Sequence, residues 1–241
     1  ATDRAGYRLK DQFDQEVLGY LTGFKQATLS ANAGTARVAA DKSGTDPIAG
    51  AAANGLLASM LIARNSFVSG GAATDSIATH PDGSTGEATP LEVLNRMARL
   101  LDQQNVDRDG RWVVVDPVFA EQLNDENSKL LNNDFASGDK DILRNGRIVS
   151  GMIRGFRVYM SNNLPSVGTG PATIDTNGSA SHYGALFAGH DSAVATASQI
   201  EKVESYRDND SFADIVRGMH LYGRKVLRPE ALVRAHYNIA G

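Results

Sequence analysis

The chain has 241 residues, with 24 lysines and arginines against 28 aspartates and glutamates, a formal net charge of -4, and no cysteine. Its 41% hydrophobic and 22% charged residues are typical of one large globular domain or two modest ones, which excludes wholesale disorder. The absence of cysteine excludes disulfides, thiolate nucleophiles and cysteine-ligated metals. The faintly acidic charge argues against a sequence-specific DNA reader and a polybasic membrane anchor. No apolar run approaches the roughly 20 residues of a membrane-spanning helix.

The first predicted element is an amphipathic helix near the amino terminus. Its apolar side chains recur at spacings of three and four residues, which places them on one helical face: Leu9, Phe13, Val17, Leu21 and Phe24. We expect this helix to lie across a core with its polar side in solvent. Residues 30–46 are rich in small and polar residues and predict a loop.

A second helix and a second loop are predicted next. Asp46 and Pro47 are typical of an N-cap and a first helical position, and the following residues to Arg64 favour a helix. Residues 70–88 indicate a long loop or hairpin tip. Loops of this length are usually functional or mobile, so we expect both this loop and residues 30–46 to be ordered only by neighbouring subunits, if at all.

The clearest helix start is at Thr89. Thr89 is a capping residue, Pro90 fits the first helical position, and Glu92 is placed to bond back to the Thr89 backbone. The apolar residues that follow share one helical face. Residues 105–110, Asn-Val-Asp-Arg-Asp-Gly, predict the turn that ends this helix.

The next segment predicts a strand and a short helix. Residues 112–115, Trp-Val-Val-Val, favour a strand buried on both faces, so Trp112 should be at least partly buried. Asp116 and Pro117 then cap a short helix that carries Phe119.

Short strands dominate the rest of the chain. An Asn-Gly pair at 145–146 predicts a hairpin, and residues 151–159 continue as one or two strands. Residues 185–188 predict a short strand, Asp191 opens a predicted small-residue helix, and residues 200–204 alternate apolar and charged as a strand does. Helices early and short strands late predict an α+β fold.

No residue pattern predicts a catalytic, cofactor-binding or metal site. The five histidines lack helical metal-ligand spacing, and the adjacent His190 and Asp191 are better explained by a turn. Gly168 and Gly170 precede Pro171, which cannot donate an N–H to a phosphate. The paired carboxylates lie in predicted turns. We therefore expect no cofactor and no enzyme activity.

One nucleophilic alternative stays open. Ser192 stands beside His190 and Asp191, which are the residue types of acyl transfer. However, the chain lacks a Gly-x-Ser-x-Gly elbow, so polar loop caps explain these residues better.

Three segments resemble tailed-phage major capsid proteins. The first is residues 100–117, with Gly-Arg-Trp-Val-Val-Val-Asp-Pro at its end and Asp107 where the family usually has proline. The second is residues 145–165, ending in Gly-Phe-Arg-Val-Tyr-Met-Ser-Asn-Asn-Leu-Pro. The third, residues 193–231, is similar to the closing strands of the family. The three segments follow the family's order.

The resemblance implies the HK97-type capsid fold, with a peripheral domain that holds a long spine helix and an axial domain near the capsomer centre. The candidate spine helix spans about residues 7–29. Residues 1–89 would be mainly peripheral with the start of the axial domain, residues 90–220 mainly axial, and residues 221–241 a return to the periphery.

The implied function is a structural one: self-assembly into an icosahedral capsid that encloses packaged double-stranded DNA. The implied partners are other copies in hexamers and pentamers, with non-specific DNA contacts, no membrane, and portal, scaffolding or cement proteins as further partners. The implied location is the virion, after assembly in the bacterial cytoplasm. Alternatives are an encapsulin-like cargo shell, a tail or head-completion protein, and a small hydrolase that uses Ser192.

The resembled family usually carries an amino-terminal arm and an extended loop before the spine helix. The present chain begins at Ala1, almost at the candidate spine helix. We therefore expect the shell-forming polypeptide to be longer at its amino terminus, and no crosslinking residue is carried over.

Overall fold

The computed structural model describes residues 2–22, 24–25, 38–39, 56–69, 77–80, 87–124, 152–164, 166–167, 183–207 and 214–239. The α-helices in these ranges are α1 (Thr2–Thr22), α2 (Pro90–Gln103) and α3 (Pro117–Leu123), with 3-10 turns at Ala58–Met60, Arg64–Ser66 and Pro229–Ala231. The strands are β1 (Phe24–Lys25), β2 (Val38–Ala39), β3 (Leu61–Ile62), β4 (Ile77–Thr79), β5 (Arg111–Val115), β6 (Arg157–Met160), β7 (Ser166–Val167), β8 (Tyr183–His190), β9 (Val194–Arg207), β10 (Asp214–Val226) and β11 (Leu232–Ile239). The expected mixture of helices and strands is confirmed.

Seven of these strands form the main sheet. Its order is β3-β11-β8-β5-β6, with β4 also paired to β11 and β7 to β8. The last strand, β11, lies inside this sheet, antiparallel to β8 and parallel to β3 and β4. The carboxyl-terminal strand therefore joins segments that lie more than a hundred residues earlier in the chain.

Helices α2 and α3 supply the hydrophobic core that covers one face of the main sheet. The ring of Phe119 packs 5.2 Å from that of Tyr237 on β11, and the Tyr237 hydroxyl donates to Asp116 Oδ1 over 2.5 Å. A Cβ on Gly184 would overlap the Tyr237 ring, so β8 needs glycine there. The fully buried helical side chains are Val93, Leu94, Met97, Leu101, Phe119 and Leu123.

The capping signals read from the sequence are confirmed. Glu92 N–H donates to Thr89 Oγ1 over 3.3 Å, and Thr89 N–H donates to Glu92 Oε2 over 3.1 Å, which completes the capping box of α2. Asp116 Oδ1 accepts from Phe119 N–H over 3.2 Å at the start of α3. The turn after α2 is also present, with positive φ at Gly110. Each signal is local, so the sequence alone was enough.

A second region consists of α1 and a long two-stranded ribbon. Strands β9 and β10 pair antiparallel from Asp214–Arg207 to Val226–Val194, with a register shift at Leu221/Tyr222. The 13 residues of β10 extend about 40 Å at roughly 3.3 Å per residue, and α1 packs along this ribbon. Asn163 Nδ2, after β6, donates to Asp11 Oδ1 over 2.9 Å and so links α1 to the main sheet.

The amino-terminal helix is confirmed, but its predicted end is wrong. Leu21 is buried as expected, whereas α1 begins at Thr2 and ends at Thr22, short of the expected residue 29. Phe24 pairs in β1 with Ala39 of β2, a strand inside the loop predicted over residues 30–46. The helix does not continue to residue 29 because the backbone of β1 pairs with β2 instead. The rest of that loop lies outside the described residues.

The predictions between residues 47 and 88 are wrong where the structure describes them. The predicted helix to Arg64 is replaced over residues 56–66 by two 3-10 turns around β3, because Leu61–Ile62 pair with β11. The predicted loop over residues 70–88 contains β4, which also pairs with β11. Their shared partner β11 lies more than 150 residues further along the chain, so the local pattern could not reveal the pairing. Residues 47–55 are not described.

In the last third, one strand is longer than predicted and one predicted helix is wrong. Strand β8 extends the predicted 185–188 to Tyr183–His190, and the strand over 200–204 is confirmed within β9. After Asp191 a turn leads into β9 instead of a helix, because residues 194–198 pair with β10. Trp112 is half-buried as expected, although β5 alternates buried and half-buried side chains. The 145–146 hairpin lies outside the described residues.

Candidate functional site

The inner face of the ribbon packs on α1 through aromatic side chains. The Phe13 ring lies 5.2 Å from His220 and 4.7 Å, edge-on, from Tyr222. His220 Nε2 is also 2.8 Å from Ser198 Oγ on the paired strand. Phe13 was predicted from helical spacing, whereas the two β10 rings follow from period-two alternation, a signal that the sequence contains.

A polar network next to these rings sets the register between α1 and β10. Glu16 Oε2 accepts from Tyr222 Oη over 3.1 Å and from Arg224 Nη1 over 3.0 Å. The Arg224 guanidinium lies 5.0 Å above the ring of Tyr20. Burial, and then the negative charge of Glu16, raise the pKa of Tyr222, so this phenol stays protonated and donates. These contacts bind the ribbon to the helix in one position.

The outer face of the ribbon carries exposed apolar side chains. Successive residues of a strand alternate faces, so residues 217, 219 and 221 point away from α1. Met219 is 55% exposed, Leu221 50% and Tyr206 of β9 46%. The Arg217 guanidinium lies 5.2 Å over the Tyr206 ring. We call this surface the outer strip; it consists of Lys202, Glu204, Tyr206, Arg217, Met219 and Leu221.

The two cations of the outer strip, Lys202 and Arg217, share one carboxylate, Glu204. Arg217 Nη2 lies 3.0 Å from Glu204 Oε2, and Lys202 forms an ion pair with the same carboxylate. The hydrogen bond from Lys202, followed by that from Arg217, lowers the pKa of Glu204. The strip therefore combines apolar area with a small charge cluster of net charge +1.

A second exposed apolar patch lies at the edge of the main sheet. Strand β6 ends the strand order, and its Tyr159 and Met160 are exposed, as is the nearby Met152. Tyr159 and Met160 are successive residues and so lie on opposite faces of β6, and exposed apolar side chains at a sheet edge are typical of interaction surfaces.

The Ser192 group has the geometry of a turn. His190 Nε2 lies 2.8 Å from the Asp109 carbonyl, which requires a proton on that nitrogen. Its Nδ1 then accepts from the Ser192 backbone N–H over 3.1 Å, with Ser192 Oγ 2.8 Å away. Arg228 Nη1 also lies 3.4 Å from that Oγ. The imidazole thus holds the β8–β9 turn against the turn after α2, which accounts for these residues without acyl transfer.

The described residues hold no group of three metal-ligating side chains close enough for a cation. None of the described helices combines the length and apolarity needed to cross a membrane. One surface depression of about 370 Å³ carries charges of both signs; its lining is Phe67, Glu87, Glu92, Asn95, Arg96 and Arg99. The expected absence of cofactors stays a prediction.

The main sheet buries a charge at Arg234 that sequence analysis did not predict. Arg234 of β11 is 1% exposed, and none of its three guanidinium nitrogens has a hydrogen-bond partner among the residues that the structure describes. Its cross-strand neighbours Leu61 and Phe187 are apolar. Burial lowers the pKa of Arg234 to about 10, so it stays charged at neutral pH. The only signal in the sequence is that Arg234 stands between Val233 and Ala235, at the apolar start of the strand.

Comparison with known structures identifies capsid subunits. A chain from Mycobacterium phage Che8 is 33% identical, with a TM-score of 0.52 over 74% of this chain and 55% of that one. The asymmetric unit of the bacteriophage PhiM1 mature capsid is 18% identical, with a TM-score of 0.56 over 99% of this chain and 63% of that one. The cyanophage Pam1 capsid asymmetric unit is 16% identical, with a TM-score of 0.52 over 98% of this chain and 66% of that one.

The chain thus spans between half and two thirds of the length of these relatives, and the PhiM1 and Pam1 likenesses concern the fold alone. No match was found among curated proteins. A family model for phage capsid proteins matches residues 1–235, nearly the whole chain. The resemblance to tailed-phage major capsid proteins is therefore confirmed, and the chain belongs to the phage capsid protein family.

Proposed function

We propose that this chain is the subunit of an icosahedral phage capsid that encloses packaged double-stranded DNA. The observation that carries the proposal is the capsid family match over residues 1–235. A shell subunit must contact several neighbours, so its function lies in surfaces rather than in a pocket. The exposed apolar patches on the ribbon and at β6 support this.

We also propose an HK97-type division of the chain. Helix α1 and the ribbon form the peripheral domain, with α1 as the spine helix, and the main sheet with α2 and α3 forms the axial domain. The pairing of β10 with β9 and of β11 with β8 supports this division. This division differs from the one expected from the sequence in two places. Residues 194–220 are now assigned to the peripheral domain, and residues 232–239 are now assigned to the axial domain.

The proposed partners are other copies in hexamers and pentamers, with portal, scaffolding or cement proteins as further ones. The net charge of -4 is compatible with weak, non-specific contact with packaged DNA, since a strongly basic inner surface would retain it. The proposed location is the virion, after assembly in the host cytoplasm. A genome shell is favoured over an encapsulin-like cargo shell because the neighbours with TM-scores above 0.5 are from phages.

Electron microscopy of particles assembled from the purified protein tests the proposal. We expect closed icosahedral shells. Rings or tubes would favour a tail or head-completion protein, and a protein that stays monomeric at high concentration would contradict the proposal.

A further inference from the structure

The two faces of the ribbon are covered unequally. The inner face packs on α1 through Phe13 and Glu16, whereas the outer strip exposes about half of Met219, Leu221 and Tyr206. A two-stranded ribbon is marginally stable by itself and needs packing to hold its shape. Within the part of the chain that the structure describes, α1 supplies that packing on one side only.

We propose that the outer strip is a docking surface for a second copy of this chain. The inference rests on the proposed shell function and names the surface through which one subunit contacts another. The chemistry of the strip favours protein over nucleic acid. Lys202 and Arg217 share the Glu204 carboxylate, which leaves the strip a net charge of only +1 and places a negative group where a phosphate backbone would lie. Methionine, tyrosine and arginine are enriched in protein interfaces.

The size of the strip is that of a minor contact, which a symmetric assembly repeats between its copies. The rise per residue along a strand and the distance between paired strands give the strip a length of about 20 Å and a width of about 10 Å. This is roughly 200 Å², well below the roughly 800 Å² per partner of an interface that is stable alone. A contact this small holds only as one of several in an assembly. In a closed symmetric assembly every copy presents the same strip, so the contact is repeated in every subunit.

The absence of cysteine allows a direct test. Met219→Cys carries the only thiol in the chain, at a position exposed in the single subunit. We expect maleimide to label this thiol at least tenfold more slowly in assembled shells than in free subunits. A photo-crosslinker on the thiol should attach to a peptide of a second copy. Gln103→Cys, exposed at the end of α2 and outside both apolar patches, is the matched control and should keep its labelling rate.

The outcomes separate this inference from the shell function. If wild-type protein forms no shell, both proposals fail before any labelling. If shells form and Met219→Cys labels as fast as in free subunits, or Gln103→Cys slows equally, the strip is not a docking surface. A crosslink to DNA or to another protein also overturns the inference.

A second variant keeps the test decisive if the thiol variant does not fold. Leu221→Ser should leave the circular dichroism of the free subunit unchanged, because half of the Leu221 side chain is already exposed there. We expect the protein concentration needed for half-assembly to rise about tenfold. Assembly at the wild-type concentration would contradict the proposed contact.

Discussion

The main sheet and the ribbon place apolar and charged groups in opposite ways. The sheet buries its large apolar side chains completely, Phe119 and Phe187 among them, and also buries the charge of Arg234. The ribbon pairs its charges at the surface and leaves Met219 and Leu221 about half exposed. The sheet resembles a finished domain core, whereas the ribbon resembles a surface that is completed by another molecule.

The difference follows from how each region is covered. Strand β11 has paired strands on both sides and helices on one face, so each of its residues removes apolar area from water. The ribbon has α1 on one face and no strand at either edge among the described residues. Regions with few buried contacts open at lower free energy than the core. We therefore expect the sheet to set the stability of the subunit and the ribbon to set its assembly.

Paired phenylalanine substitutions give the largest expected effect. Phe119→Ala removes a fully buried ring and should lower the free energy of unfolding by about 3–5 kcal/mol. Phe13→Ala removes a half-buried ring that packs on Tyr222 and should cost less, about 1–2 kcal/mol. Urea unfolding of the isolated subunit measures both. Equal losses would break the distinction between core and ribbon.

Replacing the buried charge should have the opposite sign. Arg234→Met keeps an unbranched side chain and removes a guanidinium for which the described part of the chain offers no hydrogen-bond partner. An isolated buried charge is costly, so we expect the variant to be about 1–3 kcal/mol more stable. Thermal unfolding of the isolated subunit checks this. A destabilised variant would contradict this prediction and would mean that a counter-charge pairs with the guanidinium in solution.

Acid should weaken the ion pair beside α2. Asp102 lies 2.8 Å from Arg111, whose side chain is almost fully buried, and the hydrogen bond from Arg111 lowers the pKa of Asp102 below its ordinary value of 3.8. The pKa of Asp102 is lower in the folded state than in the unfolded state, so the ion pair stabilises the fold fully above about pH 5. This stabilisation is lost as the pH falls through the pKa of the folded state. The variant Asp102→Asn lacks this pH-dependent stabilisation. Urea unfolding at pH 7 and pH 3 should show a modest stability difference between wild type and variant that shrinks at pH 3.

The smallest expected effect concerns the ion pairs of the ribbon. Glu204→Gln breaks contacts with Lys202 and Arg217, but exposed ion pairs contribute little to stability because water screens them. We expect no measurable change in the melting temperature of the free subunit. A clear loss would show that the ribbon depends on these charges for folding, against the comparison drawn above.

Local signals in the sequence determined the elements whose stabilising contacts lie nearby in the chain. The capping box at Thr89, the cap at Asp116 and the apolar face of α1 each depend on residues within about four positions. The sequence predicted only part of the contact between α1 and β10. Phe13 lies on a predicted helical face, but its partners Tyr222 and His220 lie more than two hundred residues away in the chain.

Only the tertiary structure decided the strands that depend on distant partners. Leu61–Ile62 and Ile77–Thr79 are strands because β11 lies beside them, and the alanine-rich start of β9 is extended because β10 pairs with it. A backbone hydrogen bond between strands is formed with whichever segment the fold brings near, and its energy overrides weak local preferences for helix or loop. For the same reason the sequence identified the family but did not show that Arg234 is buried or that Met219 and Leu221 are left exposed.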